Sequence, residues 1–329
     1  MNCNTSIKLY GKVVLKIKHF AFLLFSLSVF TSLSFTSTFA QKIDSLTVIN
    51  KSYNFYVIGD WGRNGSFNQR ELADVMNTTA GIIWPRFIAT TGDNFYENGV
   101  ASIDDPLWMS SFENVYSGGN LLMEWHPTLG NHDYKGNTKA QIKYSHKSRR
   151  WKMPDYYYSY TEMLDKEKIL FVFIDSNQFE DSYYKHPDRY PDLIGVDPQI
   201  QLKWIDSVLT NSDAKWKILF GHQHVYTGGS RAEGDSETAK YLEPLLKKHS
   251  VDIYFCGHEH DLQHIKPEGE THYFVSGAGS QLRPTGYMEY SLFAKSVQGF
   301  CAVSALSDKL LVQMIDYTGK VIYKYTIEK

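Results

Sequence analysis

Along the chain, short β-prone apolar runs alternate with stretches of helical periodicity, and most of the runs stop at a glycine followed by polar residues. The first run, 53–58, ends at Gly59-Asp60-Trp61-Gly62. Ser66 with Gln69 reads as a capping box, predicting a helix that turns Leu72, Val75 and Met76 to one face and closes at Gly81. A second strand, 86–90, runs into Gly92-Asp93-Asn94-Phe95-Tyr96. Asp105-Pro106 opens another helix, with Trp108, Phe112, Val115 and Tyr116 spaced to face a core. The run 125–129 leads to Gly130-Asn131-His132-Asp133, and 169–175 is apolar on both faces, as a sheet buried between two layers requires. Asp197-Pro198 starts a helix with Leu202, Ile205, Val208 and Leu209 inward, and a further helix covers 239–248. Between and after them, 216–220 ends in Gly221-His222-Gln223-His224, and 251–256 in Gly257-His258-Glu259-His260. From 273 to 327 the pattern alternates without a helix, around a turn at Thr318-Gly319. Strands alternating with helices predict an α/β sheet, whose ligands collect beyond the carboxyl ends of the strands.

The first 40 residues stand apart. Lys8, Lys12, Lys16 and Lys18 precede the apolar run 20–30, and Thr38-Phe39-Ala40 follows, the order of a secretory signal peptide with small residues before the cut. The strongly apolar part is shorter than the roughly 20 residues of a spanning helix, and no cysteine follows it to carry a lipid, so no stable membrane anchor is expected after cleavage. The expectation is an exported protein, periplasmic or secreted, with one domain over residues 41–329. At 43% hydrophobic and 21% charged the chain suits an ordinary globular protein. Its net charge of −2 becomes −6 once those four lysines are removed, and nothing there suggests nucleic acid as a specific partner. Cys256 and Cys301 sit inside apolar runs and read as buried thiols, with a pairing left open. Nothing in the sequence sets the oligomeric state.

Candidate chemistry falls at the strand ends: Asp60; Asp93 with Tyr96; Asn131 with His132; His222; His258 with His260. One carboxylate can touch two cations, and a phenolate is a hard ligand that favours a highly charged ion such as ferric iron. Two histidines leaving one strand end two residues apart can address two neighbouring metals from a single loop. Elsewhere the bland reading is preferred: the dense tyrosines at 156–158 and 183–184 as strand packing, the basic run 147–150 as a solvated surface, and His249, His264 and His272 as structural.

As a set, GDWG at Gly59, GDNFY at Gly92, GNHD at Gly130, GH at Gly221, GHEH at Gly257 and Ser276-Gly277-Ala278-Gly279 resemble the calcineurin-like metallophosphoesterases. Within them, the chain resembles the small, tartrate-resistant type of purple acid phosphatase from about Tyr53 to Lys329. The resemblance implies a four-layer α/β/β/α sandwich of two mixed sheets flanked by helices. It implies that Asp60, Asp93, Tyr96 and His260 bind Fe(III), while Asp93, Asn131, His222 and His258 bind a second, divalent metal (Fe, Zn or Mn), Asp93 being the bridge. The wider superfamily usually has a histidine ligand two residues after the first aspartate, where this chain has Gly62; Tyr96 takes its part. The activity implied is acid phosphatase: attack of a metal-bound hydroxide on a phosphate monoester, with His132 contacting the phosphoryl group. Relatives often carry a further histidine where this chain has Arg231, and many have proline at His224, so these two are further candidates for holding phosphate or aiding the leaving group. The rival readings are a phosphodiesterase or nucleotidase with two divalent metals, and a non-enzymatic surface module binding metal or glycan.

Overall fold

In the computed structural model, which describes residues 45–232 and 236–329, alternate side chains of the central strands enter two different cores. Phe171, Ile218, Phe220 and Phe255 belong to one, while their neighbours Leu170, Val172, Leu219 and Tyr254 belong to the other. A strand sends successive residues to opposite faces, so an unbroken apolar run is what a sheet covered on both sides demands. The secretory segment expected at 1–40 lies outside the described residues.

The first sheet has the order β13-β12-β11-β1-β2-β3. In it β1 (Tyr53–Ile58), β2 (Phe87–Thr90) and β3 (Glu124–Pro127) are parallel, and β11 (Gly299–Ala305), β12 (Lys309–Asp316) and β13 (Val321–Glu328) extend it by antiparallel pairing. The second has the order β10-β8-β9-β7-β6-β5-β4. Its centre, β5 (Glu167–Phe173), β6 (Trp216–Phe220), β7 (Ile253–Cys256) and β9 (His272–Ser276), is parallel, while β4 (Tyr158–Leu164), β8 (Leu262–Ile265) and β10 (Ser291–Lys295) pair antiparallel at the flanks.

The sheets pack face to face. The Phe55 ring lies 5.3 Å from Phe171 and 6.2 Å from Phe220, both edge-on. On the far side of β1, Tyr56 donates to Thr79 of α1 (Gln69–Ile83) at 2.8 Å. On the far side of the second sheet, Leu170 and Val172 share a core with Ile205 and Leu209 of α3 (Pro198–Thr210) and with Leu242 and Leu246 of α4 (Glu237–Lys248). A shorter helix, α2 (Thr138–Tyr144), precedes β4. The layers are therefore helix, sheet, sheet, helix, and each fully buried Phe or Leu contributes about 1.5–3 kcal/mol to their association.

Asp197 caps α3 as its position predicts, accepting from Gln199 N, and the 273–327 stretch is strands throughout its regular structure. Several local expectations fail. Tyr183 and Tyr184 lie in a 3-10 turn, Tyr183–Lys185, and not in a strand, and the helix opened by Asp105-Pro106 is a single π-helical turn over Trp108–Glu113. The helix expected from Ser66 begins at Gln69, because Gln69 Oε1 turns back to accept from Arg63 N and Gly65 N and ties down the loop instead of capping Ser66. That helix runs through Gly81 to Ile83, the glycine leaving room for Asn120. The basic run is not all solvated: Arg150 is 3% exposed, ion-paired to Glu113 at 2.6 Å and lying over Phe112. Cys256 and Cys301 are buried free thiols.

Candidate metal centre

Strands β1, β2 and β3 of one sheet and β6 and β7 of the other end at a common seam. There the chain must reverse sharply, and Asp60 (φ 57°), Asp93 (φ 49°) and His258 (φ 68°) all take the left-handed conformation that residues other than glycine rarely adopt. The turns brace one another. Asp60 N donates to Gly92 O at 3.0 Å, Tyr96 N to Gly62 O at 3.0 Å, and His258 N to Asp60 Oδ2 at 3.0 Å. Gly257 is required because a Cβ there would lie 2.3 Å from Asp60 Oδ2.

The same test explains Gly62. A Cβ at that position would stand 1.8 Å from the carbonyl oxygen of Asn94. The turn before Tyr96 fills the space in which a side chain at 62 would begin, so a histidine there and this course of the chain exclude each other.

The seven residues expected as ligands come together. Tyr96 Oη lies 2.9 Å from Asp60 Oδ1, 2.9 Å from Asp93 Oδ2 and 3.2 Å from His260 Nε2. On the other side of Asp93, His222 Nε2 is 3.5 Å from Asp93 Oδ1, 3.2 Å from Asn131 Oδ1 and 3.1 Å from His258 Nδ1. The two Asp93 oxygens thus face different donor groups. His222 Nδ1 is 2.8 Å from Thr91 O; donating there fixes the tautomer that leaves Nε2 free to bind.

Two carboxylates at 0% and 1% exposure stand together here with no lysine or arginine paired to either among the described residues. Buried negative charge without a counter-ion is costly, and a cation held between the donors removes the cost. The Asp60, Asp93, Tyr96 and His260 set is hard and anionic and suits a highly charged ion; the Asp93, Asn131, His222 and His258 set is mostly neutral and suits a divalent one. Burial, then Asp60 and Asp93, push the Tyr96 phenol well above its ordinary pKa. Burial opposes the charge on Asp93, but His222, His132 and two hydrogen bonds outweigh it, and its pKa falls below the usual carboxylate value. Burial, with Arg231 next, holds His258 far below the ordinary imidazole range, leaving it neutral and able to ligate.

His132 is at the rim. Its backbone N donates to Asp93 Oδ1 at 2.7 Å, its Nδ1 sits 2.6 Å from Glu97 O, and its ring centre lies 4.5 Å from that of Tyr96. His224 lies beneath the second donor set, its ring 5.8 Å from and nearly parallel to that of His258, and burial lowers its pKa to about 3. Arg231 donates from Nη1 to His258 O at 2.7 Å, with its guanidinium partly exposed beside the site.

Sequence reasoning missed the residues that hold these loops. Asp133, fully buried, accepts from Gly130 N at 2.8 Å, Asn94 N at 3.1 Å and Gln141 Nε2 at 2.8 Å, tying the two loops that carry Asp93 and Asn131. Glu259, buried between two ligand histidines, accepts from Ser230 N and Arg231 N. The signal was present, since each is the acidic residue inside a motif, GNHD and GHEH. Arg63 was missed as well; its guanidinium carbon stands 3.6 Å from the centre of the Tyr96 ring.

Comparison with known proteins gives the family. Residues 53–262 match the family of calcineurin-like phosphoesterases. Purple acid phosphatase 3 of Arabidopsis thaliana is 35% identical over 83% of this chain and 76% of its own length, and tartrate-resistant acid phosphatase type 5 of Sus scrofa is 30% identical over 89% and 92%. Among solved structures, GAP50, the anchor in the inner membrane complex of Plasmodium, has a TM-score of 0.70 at 27% identity, covering 84% of this chain and 89% of that one. Purple acid phosphatase PPD1 from yellow lupin (Lupinus luteus) seeds has the same fold, with a TM-score of 0.64 at 15% identity, covering 84% and 53%. The chain belongs to the calcineurin-like phosphoesterases, among the purple acid phosphatases.

Proposed function

We propose that the protein is an exported acid phosphatase that hydrolyses phosphate monoesters at a dinuclear centre of Fe(III) and a divalent metal. The observation that carries the reading is the phenol oxygen of Tyr96, set 2.9 Å from two buried carboxylates and 3.2 Å from His260 Nε2, a donor group suited to ferric iron. Relatives named acid phosphatases support the reaction and the substrate class. Export is supported by the lysine-then-apolar order of residues 1–40, with the catalytic domain at 41–329. No helix among the described residues is long and apolar enough to cross a membrane.

In this reading Asp60, Asp93, Tyr96 and His260 hold the iron, and Asp93, Asn131, His222 and His258 the divalent ion (Fe, Zn or Mn). When bound, the pair supplies Lewis acidity to the attacking water and to the phosphoryl oxygens. The protein's own part is to place groups around them. His132, with Nδ1 held at Glu97 O and Nε2 3.3 Å from Lys135 Nζ, stands at the rim to contact the incoming phosphoryl group. Asn131 adds a neutral oxygen, which keeps the site receptive to an anionic ester. His224, neutral and packed on His258, orients that ligand, and Arg231 holds the His258 carbonyl while offering the rest of its guanidinium to phosphate.

The test is metal analysis of the purified mature protein with its visible spectrum, together with hydrolysis of a chromogenic aryl phosphate. Iron, a tyrosinate absorption band that Tyr96→Phe abolishes, and activity lost in Asp93→Ala are expected. A colourless, iron-free but active protein would refute the ferric assignment and favour two divalent metals; full activity in Asp93→Ala would place catalysis elsewhere.

A further inference from the structure

Arg63 occupies a position that its sequence context does not explain. It follows Gly62 directly, and the loop that carries it is docked on the loop that carries Tyr96 by the Tyr96 N to Gly62 O hydrogen bond. Its side chain is 9% exposed, unusual for an arginine without a fully buried partner. The guanidinium lies over the face of Tyr96, 3.6 Å from the ring centre, and 5.8 Å from the ring centre of Phe67. Its Nη1 is paired with Glu97, and its buried Nε has no hydrogen-bond partner among the described residues. Glu97 is 63% exposed, so water screens that counter-charge, while nothing screens the guanidinium from the ring beneath it.

A cation on an aromatic face is attracted by the ring's electrons, and the attraction grows as the ring becomes more electron-rich. A phenol that donates to a metal through its oxygen is such a ring. The planar guanidinium suits the stacked geometry, which a lysine ammonium cannot reproduce. Its Nη1 is turned to Glu97, and no hydrogen bond runs from the guanidinium to the oxygen that Asp60, Asp93 and His260 surround. The guanidinium therefore acts on Tyr96 through its charge and its stacking, and leaves the phenol oxygen to the metal.

We propose that Arg63 is a positioning residue for Tyr96: stacked on the ring, it fixes the phenol's orientation and withdraws electron density from it, which sets how strongly Tyr96 donates to the ferric ion. The inference rests on the iron–phenolate reading above. With the cation on its face, the ring's electrons lie lower in energy. Moving one of them to the iron then takes more energy, and the iron is more easily reduced, than without Arg63.

The experiment compares the iron-loaded wild type with Arg63→Gln and Arg63→Lys by visible spectroscopy, iron content per chain and reductive titration. Arg63→Gln is expected to shift the visible maximum to longer wavelength and to lower the iron reduction potential, with Arg63→Lys falling between it and the wild type. An unmoved maximum in Arg63→Gln at unchanged iron content overturns the proposal, as does loss of the band with iron retained. If Arg63→Gln fails to fold, Arg63→Lys decides: a maximum identical to wild type overturns the proposal and a shift to longer wavelength supports it. A wild type without the band overturns the iron–phenolate reading itself, and this inference with it.

Discussion

Gly62 decides where Tyr96 can stand, and Gly62→Ala makes that claim measurable. The new methyl would be built 1.8 Å from Asn94 O, 2.7 Å from the carbonyl carbon of Asn94 and 3.0 Å from Phe95 Cα. All three atoms are backbone, so no rotamer change relieves the overlap; the carbonyl must retreat by about 1 Å or more before the contact becomes tolerable. Asn94 is poorly placed to move. It is fully buried, its N donates to both oxygens of Asp133 at 3.1 Å, its Nδ2 donates to Thr128 O at 2.7 Å, and its Oδ1 accepts from Thr90 at 2.6 Å. Overpacking of this kind costs about 1–3 kcal/mol, and losing the Tyr96 N to Gly62 O bond adds about 1 kcal/mol, so the variant is expected to be less stable by about 2–4 kcal/mol. The functional loss is larger, because a shift of about 1 Å in a group that positions the reaction costs on the order of 100-fold in turnover. Denaturation midpoint, iron per chain, the visible band and turnover of an aryl phosphate, measured side by side with wild type, test the whole chain of reasoning. A variant with wild-type stability, colour and turnover would refute it. A histidine at 62 meets the same backbone and is expected to do no better than alanine.

Acid weakens this fold through His126, whose ring packs among Phe87, Tyr160 and Phe173. Burial, helped by Lys152, holds His126 at about 4, against about 6.5 when unfolded, so the unfolded chain binds the extra proton. The stability His126 contributes is whole above pH 6.5 and drains away as pH falls through that value toward 4, about 2 kcal/mol between pH 7 and pH 5. His126→Phe, which keeps the ring against Phe87 and Phe173, is expected to lose less stability over that interval than wild type; equal losses in urea titrations at the two pH values would count against the assignment. Arg150→Ala leaves Glu113 half-buried without its partner and strips the Tyr116 carbonyl of a donor at 2.6 Å, an expected loss of about 3 kcal/mol in chemical denaturation. An unchanged midpoint would show that Arg150 is the surface residue its sequence neighbours suggest.

What could be read from the chain and what could not divide along a physical line. The strand ends were legible because three local signals coincide there: apolar runs covered on both sides, a glycine at the turn, then oxygen and nitrogen donors aimed past the carboxyl ends. Each of those is local, so Asp60, Asp93, Asn131, His222, His258 and His260 could be placed with no knowledge of how the sheets meet. These failures are cases where another segment, near or distant in sequence, claims a side chain or its space. Gln69 looks like half of a capping box until the 63–65 loop folds back on it. Arg150 looks solvated until Glu113 and Phe112, nearly forty residues earlier, close around it. Gly62 can be seen in the sequence as a departure, but its cause lies in the Asn94 carbonyl, and Arg63 has no meaning there until the same docking sets it over Tyr96. The docking of the 59–65 loop on the 92–96 loop is therefore one event with three consequences. It excludes a side chain at 62, brings a phenol to the carboxylates in place of an imidazole, and lays a guanidinium on that phenol. The three positions therefore cannot be exchanged singly. Restoring a histidine at 62 would require the turn before Tyr96 to withdraw, and with it both the phenol and the reason for Arg63.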